Sequence, residues 1–353
     1  MDRIGNLLGT LQGALALPRV PGMGLIFITG GDHEFFPTML GLLQSFSERI
    51  AGTPLRICDF GLRPPEQEFL RRRSLLLERP PQLGPGLHPY QLKSALHLYL
   101  NANRLSLGPE DTVIWLDGDL VMMTATFGDY ADVAAELAAR DLQVAVCQGP
   151  DRHTVGEAIA FLLKLGLKAE PFARVAEDAA IDLGRPYCSS GFFLCRSTEF
   201  LQRWCNLALA IEHHNIIDQN MFNVVLHRSL RPALMLECEV WQAQHRALDQ
   251  VRLVPDGGRE PQGAYIGAKP IKALHVTSPF AEHVFVGPGR FTIGDLALDG
   301  LFKLFRRQEL MMVQLQLLGR FLARYGTELL ALGRCQRLPQ AIEGMSFRSL
   351  DSA

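Results

Sequence analysis

Two aspartates separated by one glycine close an apolar run. In VIWLDGDLVMM (113–123), Asp117 and Asp119 flank Gly118. Two residues apart on a strand, their carboxylates project to one side if the pleat persists, and Gly118 lets the backbone turn tightly between them. Converging carboxylates repel unless a cation lies between them. Hard oxygen ligands select Mg²⁺ or Mn²⁺, ions that commonly take one or two carboxylates and fill their other positions with water and substrate phosphates. The triplet is short, and an Asp-Gly turn at a strand end is the competing reading.

The elements that must position this pair alternate along the chain. GLIFITGGD (24–32) predicts a buried strand closed by a double glycine, and FFPTMLGLLQSFSERIAG (35–52) follows at helical spacing. PLRICDFGL (54–62) predicts a second strand and LQVAVCQG (142–149) another; PYQLKSALHLYLNANRL (89–105) predicts a helix with Leu92, Leu96 and Leu100 on one stripe. PYCSSGFFLCRS (186–197) is a loop of small residues opening onto a strand. Continuously apolar strands alternating with helices predict an α/β fold, a mixed, mostly parallel sheet flanked by helices. Ligands of such sheets sit beyond the carboxyl ends of the strands, which places TGGD and DGD on one rim. From about Leu296 to Leu338 the apolar residues are dense and basic residues outnumber acidic ones, which predicts a C-terminal helical appendage. The expected organisation is an N-terminal segment (1–20), a core domain (21–295), the helical region (296–338) and a tail (339–353).

Composition narrows the function classes. The 353 residues are 48% hydrophobic and 20% charged, enough for a sizeable core. A net charge of -2 leaves no polycationic footprint, so nucleic acid is not an expected partner. The seven cysteines are odd in number and form no Cys-x-x-Cys pair, which points to reduced thiols in a cytoplasmic protein. Asp2, Arg3 and Pro18 make the N-terminus a poor secretory signal. No apolar run reaches the roughly 18 to 20 residues of a membrane-spanning helix. Within 300–335, Phe302, Leu310, Phe321 and Leu322 lie near Lys303, Arg306 and Arg320. That pattern reads either as a helix packed on the core or on a second subunit of a homo-oligomer, or as a peripheral contact with an anionic membrane.

Six segments in order carry a resemblance: IFITGGD, YQLKSALHLYL, WLDGDL, SSGFFLC, DQNMFN and ALHVTS. Over roughly residues 21–285 the chain resembles the GT-A-fold, nucleotide-sugar-dependent glycosyltransferases, in particular the retaining glycogenin-like and lipopolysaccharide galactosyltransferase-like group. The resemblance implies a GT-A-like (Rossmann-like) domain and a metal, Mn²⁺ or Mg²⁺, held by Asp117, Asp119 and His275. It implies that Lys93 lies near the donor diphosphate or sugar, and that Thr29, Gly30 and Gly31 meet the base and ribose. Gly118 and the segment Ser189, Ser190 and Gly191 would line the donor site, while Asp218 and Gln219 would be the catalytic residues at the sugar. Each has a plainer alternative: an exposed lysine, a strand-to-helix turn, a serine-rich loop, a core histidine, or an Asp218 that caps a helix beginning at Gln219. Asp32 reads as a helix cap, and His213-His214 as a solvated helix end.

The implied activity is transfer of a sugar, with retention, from a nucleotide diphosphate sugar, in the first place a UDP-sugar, to an unidentified carbohydrate, lipid-linked or protein acceptor. The chain departs from the group at two places. Ser189 stands where the group has Asn, and the Gly and Lys-Pro-Trp run expected after His275 is missing from HVTSPFAEHVFVG. These departures keep a second reading open: a catalytically inactive nucleotide-sugar-binding or interaction protein. A sugar nucleotidyltransferase is a third, although TGGDHEFF lacks the basic glycine-rich loop it would want.

Overall fold

Along the strand that leads to Asp117, Val113 and Trp115 face one way and Ile114 and Leu116 the other, and all four are buried. A strand covered on both faces must be apolar throughout, which is why this run shows no alternation. The computed structural model describes residues 24–350 except 106, 230, 257, 258, 279 and 280, so the segment 1–20 lies outside the described residues.

The first half contains β1 (Leu25–Gly31), α1 (Phe36–Arg49), β2 (Leu55–Asp59), α2 (Pro64–Arg71), β3 (Leu76–Leu77), α3 (Pro89–Ser94), α4 (Leu96–Ala102), β4 (Thr112–Leu116), β5 (Leu120–Met122), α5 (Phe127–Ala139) and β6 (Val144–Gln148). After α6 (Val155–Lys164) and α7 (Glu170–Asp178) come β7 (Cys188–Cys195), α8 (Thr198–Ala210), α9 (Ile217–Arg228), β8 (Leu234–Leu236) and α10 (Cys238–Trp241). The chain ends with β9 (Arg252–Asp256), β10 (Arg259–Ile266), β11 (Lys269–Pro270), β12 (Ala273–His275), β13 (Val284–Ile293), β14 (Leu296–Phe305), α11 (Gln308–Ala331), β15 (Gln336–Arg337) and β16 (Met345–Ser349).

Seven strands form the central sheet in the order β3-β2-β1-β4-β7-β6-β8. β7 runs against both its neighbours, and every other adjacent pair is parallel, as the continuous apolar runs predict. One face packs on α1, α5 and α11, and the other on α3, α4 and the helices from α6 to α9.

At the end of β4 the pleat breaks. Leu120 donates its N–H to Asp117 O at 3.0 Å, closing a turn over Gly118. The chain then leaves the sheet and pairs as β5 with β12, antiparallel, Leu120 opposite His275. A two-stranded ribbon thus sets His275 beside the aspartates, and Val276 N donates to Asp119 O at 3.0 Å.

The helix expected over 296–338 is corrected at its first quarter. Residues 296–305 form β14, which turns back on β13 at Gly294 and Asp295. Gly294 has φ 56°, the left-handed conformation that a two-residue hairpin turn requires. Asp299-Gly300 would weaken a helix here, whereas the hairpin buries Leu298, Phe302 and Leu304. The expected tail also contains a strand, β16, paired with β13. Leu318, Phe321 and Leu322 of α11 are buried in the core beside α1, and Leu310 in the cluster around β5 and β12, so of the readings offered for these residues it is packing on the core that the structure shows. No helix among the described residues is long and apolar enough to cross a membrane.

Candidate active site

The site is assembled where β4 ends, at the carboxyl end of the parallel strands. β7 lies against β4 with Phe192 opposite Leu116, and Asp117 N donates to Gly191 O at 2.9 Å. Asp117 Oδ1 accepts from Trp115 Nε1 at 2.7 Å and lies 2.8 Å from Lys93 Nζ. Lys93 comes from α3, whose start is fixed by Pro89 in the first turn and a His88–Gln91 capping box. Its ammonium also reaches Asp218 Oδ2 at 2.9 Å and Ser190 Oγ at 3.1 Å. Burial would lower the pKa of Lys93, but the charges of Asp117 and Asp218 outweigh it and hold the group well above its ordinary value.

Asp119 follows Asp117 across the turn and meets a different lysine. Its Oδ1 lies 3.1 Å from His275 Nε2 and its Oδ2 2.8 Å from Lys303 Nζ, which reaches in from β14. Burial would raise the Asp119 carboxyl, and the charges of Lys303 and His275 more than reverse that, leaving it well below the usual carboxylate range. Among the described residues, Asp117, Asp119 and His275 form a group that could hold a metal ion, each offering a ligand atom, all within 4.8 Å of one another.

These residues fit a divalent cation. Each carboxylate spends one oxygen on a lysine and leaves the other toward His275: Asp117 Oδ2 lies 3.8 Å and Asp119 Oδ1 3.1 Å from Nε2. Two oxygens and an imidazole nitrogen are a donor set suited to Mn²⁺ or Mg²⁺, the nitrogen favouring the softer ion. The space is kept open by Gly191, where an added Cβ would meet His275 Cε1 at 2.7 Å and Asp117 Oδ2 at 3.0 Å.

Asp218 does not cap a helix that begins at Gln219. α9 begins two residues earlier, at Ile217, after Ile216 in the left-handed region (φ 50°), and Asp218 sits inside the first turn. Its Oδ2 accepts from Ser190 Oγ at 2.8 Å, and its buried Oδ1 has no partner in the protein. Gln219 Oε1 accepts from Ser190 N at 3.3 Å. Asn223, four residues on, bonds both the N–H and the carbonyl of Cys188 and so pins the start of β7 to α9. Ser189 Oγ lies 3.4 Å from Gln242 Oε1.

The remaining expectations divide. Gly30, Gly31, Gly118, Ser189, Ser190 and Gln219 line the same cavity of about 590 Å³ as the charged groups. At Gly30 a Cβ would strike the Phe60 ring at 2.4 Å, so this glycine makes room for a side chain of the protein. Thr29 is fully buried and is not part of the cavity wall. Asp32 Oδ1 accepts from Phe35 N at 2.8 Å, closing the turn that leads into α1. His213 stacks on His88.

Sequence reasoning missed Lys303, Trp115 and the apolar flank of the cavity, where Phe161, Leu162 and Leu165 of and just after α6 form part of the wall. The Gly294-Asp295 pair between apolar runs was the available signal for the hairpin that carries Lys303.

No protein-family model matches the chain, and no curated protein does. Solved structures do. The bifunctional glycosyltransferase WbbM, in its apo form, is 12% identical over 64% of this chain and 41% of its own, with a TM-score of 0.41. LgtC, a galactosyltransferase solved in complex with donor and acceptor sugar analogues, is 11% identical over 73% of this chain and 88% of its own (TM-score 0.42). GlyE of Streptococcus pneumoniae TIGR4 is 12% identical over 90% of this chain and 65% of its own (TM-score 0.44). The chain is similar to solved glycosyltransferases. It spans well under two thirds of the length of WbbM.

Proposed function

We propose that this chain is a metal-dependent, GT-A-like glycosyltransferase that moves a sugar from a nucleoside diphosphate sugar, in the first place a UDP-sugar, to an acceptor with retention. The observation that carries the reading is the convergence of Asp117, Asp119 and His275 with Lys93 and Asp218 in one cavity at the carboxyl ends of the strands. A turn with two aspartates needs none of the other three. Five groups from four places in the fold, the β4–β5 turn, α3, α9 and β12, are an arrangement built for a charged ligand.

A divalent ion bound by Asp117, Asp119 and His275 supplies charge neutralisation at the diphosphate as the sugar departs. Trp115 Nε1 and Lys93 fix one oxygen of Asp117, so that the other keeps its direction. Lys93 adds positive charge beside the donor, and because its ammonium is held by Asp117, Asp218 and Ser190 it is oriented before the donor arrives. The unpartnered Oδ1 of Asp218 accepts a sugar hydroxyl. Gln219, an amide and not a second carboxylate, faces the sugar as a stabiliser of developing positive charge, and retention is proposed from the resemblance to the retaining group alone. Lipid-linked or glycan acceptors enter along the Phe161–Leu165 side of the cavity, and the seven free cysteines, six of them buried, support a cytoplasmic setting.

Calorimetric titration of UDP with and without Mn²⁺, on the wild type and on Asp119→Ala, tests the reading. Binding that needs Mn²⁺ and disappears in the variant is the expected result, followed by hydrolysis of one nucleotide sugar in a screen. No binding of any nucleoside diphosphate to either protein would sink it. Binding without hydrolysis or transfer of any nucleotide sugar would favour the inactive, nucleotide-sugar-binding alternative raised by Ser189 and the missing Lys-Pro-Trp run.

A further inference from the structure

The residue that most alters the site is Lys303, which no motif contains. Its backbone is fixed: Lys303 N donates to Thr38 Oγ1 at 3.0 Å, and its carbonyl accepts from Gln314 Nε2 at 3.1 Å. From that anchor on β14 the side chain crosses to the β4–β5 turn, passes the Phe35 ring at 5.2 Å and ends 2.8 Å from Asp119 Oδ2. It lines the cavity together with Asp117 and His275 and is partly exposed there, so its ammonium has somewhere to go.

We propose that Lys303 is the resident counter-ion of Asp119, and that it makes entry of the divalent cation depend on simultaneous entry of the donor diphosphate. The inference rests on the reading above and specifies its order of assembly. In the structure three carboxylates, Asp117, Asp119 and Asp218, face two ammonium groups, Lys93 and Lys303, an excess of one negative charge when His275 is counted as the neutral imidazole that a metal ligand must be. A divalent ion alone converts this to an excess of one positive charge and places a dication beside the Lys303 ammonium, in surroundings that screen it poorly. The diphosphate of a nucleotide sugar carries two negative charges. Cation and diphosphate together therefore restore the charge the cluster began with, and the displaced ammonium of Lys303 turns to the incoming anion. β14 thereby provides the positive charge that the segment after His275 lacks.

The test is Mn²⁺ binding followed by electron paramagnetic resonance of the free ion, on the full chain, with and without UDP. Wild type, Lys303→Met and Lys303→Arg are compared, with Lys303→Gln as a second neutral variant should the methionine not fold. In the wild type UDP is expected to tighten Mn²⁺ by about five- to 150-fold. Lys303→Met takes up Mn²⁺ alone more tightly by a similar factor and loses most of the UDP effect, while Lys303→Arg keeps it. Equal Mn²⁺ affinity of wild type and Lys303→Met without nucleotide would overturn the proposal while leaving the metal site intact. UDP binding to the wild type with no Mn²⁺ uptake would also overturn it, because the ammonium would then replace the metal outright. If no variant binds either ligand, the transferase reading itself fails and this proposal with it.

Discussion

Gly191 and His275 stand so close that a Cβ on the glycine would lie 2.7 Å from His275 Cε1. The same Cβ would be 3.0 Å from Asp117 Oδ2, so one methyl group presses on two of the three candidate metal ligands. Gly191→Ala is expected to keep the fold at a cost of about 1–3 kcal/mol from overpacking. Mn²⁺-dependent UDP binding should weaken by roughly tenfold or more, because a ligand displaced by a few tenths of an ångström loses its geometry. Paired thermal melts and calorimetry check this. A variant that binds as the wild type does would show that the glycine serves packing alone.

That pair also shows what was legible in the sequence and what was not. The run that ends at Asp117 is readable because a strand buried on both faces has no polar residue until it reaches the rim, where Asp117 and Asp119 appear. The α/β class follows from the same continuous runs, whereas the strand order does not, because it is set by contacts between distant segments. The hairpin at 284–305 was hidden because its second strand is nearly all apolar and flows into α11, so apolar density outweighed the Gly294-Asp295 turn. Lys303 pairs with Asp119 across 184 residues, and no local pattern encodes a contact at that separation. The start of α9 was misplaced by two residues because Ile216 adopts a left-handed conformation that nothing in its type suggests.

Lys93 separates two carboxylates that would otherwise face each other. With Lys93 only 6% exposed, removing its charge leaves Asp117 and Asp218 uncompensated in a poorly hydrated place. Lys93→Met is expected to destabilise the protein by about 3 kcal/mol, the low end for a broken buried pair because Asp117 is 24% exposed. Adding Asp218→Asn to that variant should recover part of the loss, as groups in one network couple. Urea unfolding of the two single variants and the double variant measures the coupling. Strict additivity would mean that Lys93 and Asp218 are neighbours without interacting.

At two histidines, His97 and His227, burial outweighs whatever would stabilise the protonated form, including the charge of Asp182 near His227. Burial pushes His97 and His227 down, the carbonyl of Pro186 opposing this only partly at His227. The sign follows directly: the unfolded chain takes up these protons near pH 6.5, the folded one at lower pH. Their contribution to stability is complete above about pH 6.5 and is lost as the pH falls from there toward the folded values. Melting temperature in the presence of EDTA should therefore drop between about pH 6.5 and 5.5, before the carboxylates titrate. His97→Gln should flatten that part of the profile. A melting temperature independent of pH across the interval would contradict the assignment.

The last prediction concerns α11, whose apolar and basic surface suggested a membrane contact. Leu310, Leu317, Leu318, Phe321 and Leu322 are each 3% exposed or less, and Gln314 accepts from Phe305 N and donates to the Lys303 carbonyl. Two of the basic residues are engaged as well: Arg320 pairs with Glu48 at 2.9 Å, and Arg307 donates to the carbonyls of Leu248 and Val251. Beyond the helix, Arg334 lies 2.6 Å from Glu66, a carboxylate with no exposure at all. Each buried Leu or Phe contributes about 1.5–3 kcal/mol, so five of them rival the whole net stability of a domain, about 5–15 kcal/mol. A chain ending at Arg307 is thus expected to lose its cooperative melt and to bind an apolar fluorescent dye, since it would expose the core beside α1 and leave Glu66 buried without Arg334. A membrane anchor would behave in the opposite way. Its removal would leave a folded protein that melts cooperatively within a few degrees of the full chain and no longer sediments with anionic vesicles, and that result would return α11 to the lipid surface.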